Sequence, residues 1–181
     1  NDAQALELAI DRLMCGYSMI FGFGGLPLLY MGDEIALLND RSYLNDPARA
    51  ADNRWMHRPQ MPWDVVAQRS TRATVAGQVF TRMSALISAR KSLASLHAAT
   101  APVVFATDNP SVVAFRRRHP AGDLVELYNV SNQPQLVPTH SAWPLNGGTA
   151  HEAITDDLVD LTSETITLAP YAVWWLTAQP S

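Results

Sequence analysis

Apolar residues recur at helical spacing near the start of the chain, over residues 3–20. Polar residues such as Glu7 and Asp11 separate them, and Asp2 is suited to cap the first turn. Glycines follow at positions 22, 24 and 25, and glycine readily adopts the left-handed backbone that closes a helix. The pattern predicts a largely buried helix that ends in a glycine turn.

A short, unbroken apolar run at residues 26–31 follows this turn. Strands that are buried on both faces of a parallel sheet have such continuous apolar sequences. The chain therefore predicts one step of an α/β fold, in which a helix, a glycine turn and a buried strand follow one another. A dinucleotide-binding fingerprint has the opposite order, because its glycines follow a strand and open a helix, so these glycines predict no nucleotide site.

Residues 35–75 show no sustained periodicity and contain closely spaced Asn, Asp and Pro turn signals. Loops longer than about 12 to 15 residues in compact domains are mostly functional or disordered. Disordered segments contain few aromatic residues, whereas this one has Tyr43, Trp55, His57 and Trp63. We therefore predict an ordered loop that faces a ligand.

Helical spacing returns over residues 76–96, and the pattern then changes to short strand-like runs separated by turn residues. These runs are residues 103–105, 112–115, 124–128, 165–168 and 172–176. They predict a compact antiparallel β-sandwich. We place the domain boundary between residues 97 and 102, which assigns residues 1–98 to an α/β part and residues 99–181 to an all-β domain.

The basic run Arg116-Arg117-Arg118-His119 leads into a turn at residues 120–123, between two of the predicted strands. A basic run can bind nucleic acid, but the chain has a formal net charge of -4. We therefore interpret the run as a solvated hairpin tip.

The overall charge also limits the class of partner. A net charge of -4 offers no basic face to nucleic acid or to anionic lipid. The longest apolar stretch, residues 13–31, is broken by glycines and a proline, so it predicts no membrane span. These features predict no nucleic-acid partner and no membrane partner, and they favour a neutral or small polar ligand.

The chain contains one cysteine, Cys15, so it can form no intrachain disulfide, and this favours a cytoplasmic location.

The first residues of the chain lack an initiator Met, a basic segment and an apolar segment, so they do not form a signal peptide. We interpret Asn1 as a cut end.

Asp33 and Glu34 are candidate site residues at the end of the predicted strand. Retaining glycosidases need two carboxyl groups about 5 to 5.5 Å apart across one bond. Adjacent residues on a regular strand point to opposite faces, so this pair cannot converge on one bond. Each can instead line or brace the mouth of an active site at the C-terminal end of a barrel strand.

Other catalytic classes lack their sequence signals. The histidines lack the short spacings of zinc motifs, so no metal and no cofactor are predicted; they are His57, His97, His119, His140 and His151. No Gly-x-Ser-x-Gly nucleophile elbow occurs in the sequence.

Residues 52–64 combine tryptophans with the arginines Arg54 and Arg58. An indole ring can stack on the apolar face of a sugar, and a guanidinium donates to hydroxyl groups or pairs with a carboxylate. The composition of this segment is typical of a sugar pocket, although a surface loop with chance aromatic residues has the same composition.

Two segments of the chain resemble a known enzyme superfamily. Residues 25–34, GLPLLYMGDE, resemble the G-x-P-x-x-x-x-G-x-E segment at the eighth barrel strand of the α-amylase superfamily. Residues 37–40 and 52–59 look like the eighth loop of amylosucrases and the similar sucrose hydrolases. The resemblance implies the last part of a (β/α)₈ TIM-type barrel, followed by a C-terminal antiparallel β-sandwich.

The resemblance also implies a chemistry. Such enzymes cleave sucrose by a retaining double displacement, with an Asp nucleophile, a Glu acid/base and a second Asp that stabilises the transition state. Earlier barrel strands carry all three, so we expect no catalytic residue in this chain. Arg58 matches the arginine that closes the glucose subsite by pairing with an upstream aspartate, and Arg54 is the alternative. His57, Trp55 and Trp63 are expected to pack the loop or form its rim.

The expected function is therefore that of a C-terminal fragment of an amylosucrase-like glucosyl transferase. Its substrate-binding residues would be Arg58, Arg54, Asp33 and Glu34, and its partners would be sucrose, α-glucan and the remainder of the barrel. A sucrose hydrolase or another α-glucosidase is one alternative. A carbohydrate-binding or structural module without catalysis is another.

Overall fold

The structure is a computed structural model that describes residues 2–145 and 148–178. The chain forms two compact units. The first contains the described residues up to Pro27 and those from Met83 onward, and the second is Leu28–Arg82. The domain boundary that the sequence places between residues 98 and 99 stays a prediction.

The two helices that the sequence predicts at residues 3–20 and 76–96 are present. The α-helices are α1 (Asp2–Gly22), α2 (Trp63–Val66), α3 (Val75–Ser92) and α4 (Thr139–Ala142). In α1 the buried residues Ile10, Met14 and Ser18 recur every four positions and form one packed face. None of the helices in residues 2–145 and 148–178 is long and apolar enough to span a membrane.

The strand predicted at residues 26–31 is not formed, so this prediction is wrong. Residues 26–30 have no regular secondary structure, and Leu26 and Leu28 are 92% and 78% exposed. A strand exists only where its backbone groups pair with a neighbouring strand. Every strand pair in the described residues is antiparallel and lies beyond residue 102, so these residues form no part of a parallel barrel sheet.

Two antiparallel sheets form the C-terminal part of the chain. The strands are β1 (Val103–Phe105), β2 (Val112–Arg117), β3 (Leu124–Asn129), β4 (Gln135–Pro138), β5 (Thr149–Glu152), β6 (Asp157–Asp160), β7 (Thr165–Leu168) and β8 (Val173–Ala178). A 6-stranded sheet has the order β1-β2-β3-β8-β5-β6, and a 2-stranded sheet pairs β4 with β7. The predicted antiparallel domain is confirmed, whereas β4, β5 and β6 had not been predicted.

The core of this domain lies between the two sheets. Val125, Leu127 and Leu176 of the larger sheet pack in one cluster with Val137 and Ile166 of the smaller sheet. Alternation along the strands produces this arrangement, because successive side chains point to opposite faces.

Strand β3 is covered on both faces. Val125 and Leu127 point into the core between the sheets, and the alternate residues Glu126 and Tyr128 point towards α1. All six residues of β3 are therefore buried. The second face carries the polar groups of Glu126 and Tyr128 beside the apolar Leu124, so α1 packs on the sheet partly through hydrogen bonds.

A buried ion pair lies between α1 and the sheet. Arg117 of β2 donates from Nε to Oε1 of Glu126 at 3.0 Å, and both side chains are 0% exposed. The interpretation of residues 116–119 as a solvated tip is therefore wrong for Arg117, although Arg118 is exposed. Burial of Arg117 follows from its position on the strand, because alternation turns it towards α1 while its neighbour faces solvent.

Two arginines from other elements donate hydrogen bonds to carbonyl groups at and just beyond the C-terminal end of α1. Arg117 donates to the carbonyl oxygens of Gly22 and Thr100, and Arg90 of α3 donates to those of Phe21 and Gly25. The last turn of a helix leaves carbonyl groups without intrahelical partners and carries partial negative charge. Helix α1 has no basic residue in its last turn, so Arg90 and Arg117 provide the positive charge there.

Glycines allow the buried pair to approach the helix. A Cβ atom on Gly22 would lie 2.2 Å from Oε2 of Glu126 and 2.2 Å from the hydroxyl oxygen of Tyr128. Gly24 has a positive φ of 112°, and its Cβ would lie 3.0 Å from the Arg117 guanidinium. The glycine turn thus accommodates a protein side-chain cluster rather than a nucleotide.

We predict opposite effects for two glycine-to-alanine changes in α1. Gly22→Ala should lower the free energy of unfolding by about 1 to 3 kcal/mol, because the methyl group overpacks against Glu126 and Tyr128. Gly16→Ala is the matched control, since its Cβ would meet nothing within 4 Å. It should raise stability by about 0.5 to 1 kcal/mol, the usual helix preference for alanine. Urea unfolding measures both, and equal effects would contradict this packing.

Candidate functional site

Asp33 and Glu34 lie on a short 3₁₀ turn, Asp33–Ile35, rather than on a strand. Oδ2 of Asp33 accepts from the backbone N–H of Tyr30 at 2.9 Å, and Oε2 of Glu34 accepts from that of Gly32 at 2.8 Å. Gly32 has a positive φ of 100°, which glycine adopts without strain. One oxygen of each carboxylate therefore braces the turn, and the argument from strand alternation does not apply to this pair.

Two contacts join distant residues of the long loop. The backbone N–H of Asp40 donates to the carbonyl oxygen of Met56 at 2.9 Å, and Nδ1 of His57 lies 3.1 Å from Oδ1 of Asn39. These contacts join residues 39–40 to residues 56–57, so the segment between them is held as a compact surface loop. His57 contributes one of the two contacts.

Local ion pairs and caps organise the interior of this loop. Asp40 accepts from the backbone and hydroxyl of Ser42, and these hydrogen bonds lower the pKa of the Asp40 carboxyl. The Arg49 guanidinium lies 4.6 Å from the ring centroid of Trp55 and pairs with Asp46 at 3.2 Å. The expectation of an ordered segment is consistent with this network.

Arg54 is held by a residue of its own turn. Its Nε donates to Oδ1 of Asp52 at 2.8 Å and its Nη2 donates to Oδ2 at 2.8 Å, which is a two-pronged guanidinium–carboxylate pair. Asp52 also caps the 3₁₀ turn Asn53–His57 by accepting from the backbone N–H of Arg54. The hydrogen bonds from Arg54 lower the pKa of Asp52 to about 2.

Arg58 differs from Arg54 because its side chain has no carboxylate within hydrogen-bond distance among the described residues. Its backbone N–H donates to Trp55 at 3.1 Å, but its exposed guanidinium makes no hydrogen bond or ion pair within residues 2–145 and 148–178. Arg58 therefore retains all its side-chain donors for a group outside this part of the chain, whereas Arg54 has a carboxylate partner already.

The candidate residues all lie in the unit Leu28–Arg82, on two separate 3₁₀ turns. No hydrogen bond or ion pair among the described residues joins the arginines to Asp33 or Glu34. Sequence reasoning missed the role of Asp52, although an Asp two residues before an Arg at the start of a turn is a recognisable capping signal. Within the described ranges, no group of three or more His, Cys, Asp or Glu is placed to hold a metal ion.

Comparison with known proteins links the C-terminal sheet to one enzyme family. Residues 103–177 match the family model described as the amylosucrase C-terminal domain. That range covers β1 to most of β8, which is the part of the chain that forms the antiparallel sheets.

Solved structures share the fold over nearly the whole chain. An AmyP variant in complex with maltotriose is 14% identical with a TM-score of 0.72, over 95% of this chain and 35% of that one. A maltogenic amylase from S. marinus is 20% identical, with a TM-score of 0.61 over 94% of this chain and 20% of that one. An α-amylase from Anoxybacillus is 20% identical, with a TM-score of 0.62 over 95% of this chain and 33% of that one.

Residues 103–177 are therefore similar to the C-terminal domain of amylosucrases, and the chain shares its fold with these amylase structures. The identities to solved structures are low, so those structures establish the shared fold and not a shared substrate. The chain spans 20% of the maltogenic amylase and 35% of the AmyP variant. Each of these two enzymes is therefore much longer than the chain.

Proposed function

We propose that the chain is the C-terminal part of a sucrose-acting, retaining glucosyl transferase of the α-amylase superfamily. An enzyme of this amylosucrase-like kind converts sucrose to fructose and an α-1,4-glucan. The observation that supports the proposal most strongly is the amylosucrase C-terminal match over residues 103–177. Two further resemblances lie outside that match and support the proposal independently: residues 25–34 resemble a segment of the α-amylase superfamily, and residues 37–40 and 52–59 resemble the eighth loop of amylosucrases.

In this proposal the loop supplies Arg58 to the glucose subsite. Its guanidinium is exposed and makes no side-chain hydrogen bond or ion pair among the described residues, although its charge acts on Asp52. A free guanidinium presents a planar pair of donors that suits a carboxylate on another part of the enzyme. Arg54 fits this role less well, because breaking its pair with Asp52 would cost two charge-assisted hydrogen bonds.

In this proposal Asp33 and Glu34 hold their own turn in place, and each can also contact the substrate. Each uses one carboxylate oxygen on a backbone N–H and keeps its second oxygen for a ligand hydroxyl or a neighbouring donor. A brace of this kind orients a turn at the mouth of a barrel without taking part in bond cleavage. The nucleophile and the acid/base are expected outside this chain.

Exposed apolar side chains in the unit Leu28–Arg82 support the remainder of a barrel as a partner. Leu28 and Leu38 are 78% and 82% exposed, and Met31 is 56% exposed. Large apolar groups concentrated in one short segment usually mark a surface that another part of a protein covers.

Two alternatives are distinguished by chemistry. The structural relatives in complex with maltose and maltotriose favour an enzyme that acts on α-linked glucose oligomers, such as an α-glucosidase. A module without catalysis would bind sugars through exposed aromatic residues such as Trp63, which is 75% exposed.

We predict that the native polypeptide is about three to four times longer than this chain, the size of a complete barrel with added domains. It should release more fructose than glucose from sucrose, with the difference recovered as glucan. Equal fructose and glucose would indicate a sucrose hydrolase, and cleavage of maltotriose without sucrose turnover would indicate an α-glucosidase. A native product of only this length that lacks turnover would contradict the proposal.

Within that enzyme, Arg58→Ala should lower kcat/KM for sucrose roughly a hundredfold, as expected when one member of a buried charge pair is removed. Arg58→Lys should restore little, because an ammonium lacks the planar fork. Arg118→Ala is the matched control, since Arg118 is an exposed arginine of the β2–β3 hairpin. Loss of activity in Arg54→Ala with normal Arg58→Ala would instead assign the subsite to Arg54.

A further inference from the structure

The Tyr128 hydroxyl lies between two acceptors that compete for its single hydrogen. Its oxygen is 2.6 Å from Oε2 of Glu126 and 3.4 Å from the carbonyl oxygen of Ser18 in α1. The same oxygen accepts from Nε1 of Trp175 at 3.0 Å. A hydroxyl donates one hydrogen bond at a time, so it can bind either the carboxylate or the helix.

Charged and titratable groups face Glu126 from every element packed against it. Arg117 of β2 donates to its Oε1, Tyr128 of β3 donates to its Oε2, and Arg90 of α3 lies close enough to interact electrostatically. From α1, Cys15 interacts with Tyr128, and β8 contributes only the neutral indole of Trp175.

Glu126 and Tyr128 lose their protons in different pH ranges. Burial raises the pKa of Glu126 to about 7, although the hydrogen bond from Tyr128 and the charges of Arg117 and Arg90 lower it. Burial and the Glu126 charge raise the pKa of Tyr128 well above its ordinary value. Tyr128 therefore remains a hydroxyl donor near neutral pH, where Glu126 gains or loses its proton.

We propose that Glu126 and Tyr128 form a proton-dependent latch on helix α1. When Glu126 takes up a proton from solvent on Oε2, its hydroxyl donates to the Tyr128 oxygen, and the Tyr128 hydrogen turns to the Ser18 carbonyl. When that proton returns to solvent, the Tyr128 hydrogen is drawn to the carboxylate and the hydrogen bond to α1 is lost. Arg117 keeps its hydrogen bond to Oε1 in both states, and this contact is an ion pair only when Glu126 is ionised.

The direction of the pH effect follows from linkage. The pKa of Glu126 in the folded chain lies above the ordinary value of 4.5, so folding and docking favour the protonated form. The stabilisation is complete below that ordinary value and is lost as the pH rises through about 7. Helix α1 is therefore held more tightly in mildly acidic than in alkaline conditions.

Cys15 is a natural reporter of this latch. It is the only cysteine in the chain, it lies on α1 with 4% exposure, and its Sγ is 3.7 Å from the carbonyl oxygen of Asn129 in β3. A thiol reagent reaches it when α1 separates from the sheet. Labelling of Cys15 therefore measures undocking of the helix in the full chain.

The test measures the rate of Cys15 labelling by a neutral maleimide across the pH range, in dilute solutions of the full chain. Glu126→Gln mimics the protonated form, because its amide NH₂ donates to Tyr128 and its carbonyl accepts from Arg117. The ratio of the wild-type rate to the Glu126→Gln rate at the same pH removes the intrinsic reactivity of the thiol. We expect this ratio to rise roughly tenfold or more between about pH 5.5 and pH 8.

Two further variants keep the test decisive. Glu164→Gln changes an exposed carboxylate of the same domain and should reproduce the wild-type rates at every pH. Tyr128→Phe keeps the buried Glu126 but lacks the hydroxyl that binds Ser18 in the protonated state, so it should label faster than the wild type near pH 5.5 and at a similar rate near pH 8. The ratio of the Tyr128→Phe rate to the wild-type rate also serves as the comparison if Glu126→Gln does not fold. A wild-type ratio that stays level with pH, or a Tyr128→Phe ratio that is the same at both pH values, would overturn the latch. This inference does not rest on the proposed function.

Discussion

Burial of the Arg117 guanidinium is the constraint on which the first compact unit depends. A cation that is removed from water is tolerated only when its charge and its donors are matched. Glu126 supplies the opposite charge, and the carbonyl groups of Gly22 and Thr100 accept the remaining hydrogen bonds. Because these carbonyls belong to the end of α1 and to the segment before β1, one buried charge joins the helix, its exit turn and the sheet.

This constraint explains features that sequence patterns alone could not predict. Periodicity predicts α1, α3 and the longer strands correctly, because each buries a regular apolar stripe. It fails for Arg117, whose charge indicates solvent although strand alternation turns it towards α1. It also fails for β4, β5 and β6, which contain residue types that are depleted in strands, such as Pro138, Glu152 and Asp157. It fails as well for residues 26–31, whose apolar run has no neighbouring strand to pair with.

The sequence predicts the residue types of the candidate site but not their arrangement. It gives Arg58 as the candidate for the glucose subsite and Arg54 as the alternative, with Asp33 and Glu34 as further candidate sugar-binding residues. The structure distinguishes them through Asp52, which caps a turn and pairs with Arg54 while Arg58 stays unpaired among the described residues. Their contacts with substrate remain predictions, because the groups that would complete a glucose subsite are expected outside this chain.

The central claim is that α1 and the sheet open together because the buried pair joins them. Native-state hydrogen exchange at one fixed pH, followed in increasing urea, compares amides of α1 with those of β3 directly. If the Arg117–Glu126 pair joins the two elements, their opening free energies should coincide and fall with the same urea dependence. If the α1 amides exchange through a separate opening of much lower free energy, while β3 keeps full protection, the helix is not anchored by the pair and the account is wrong.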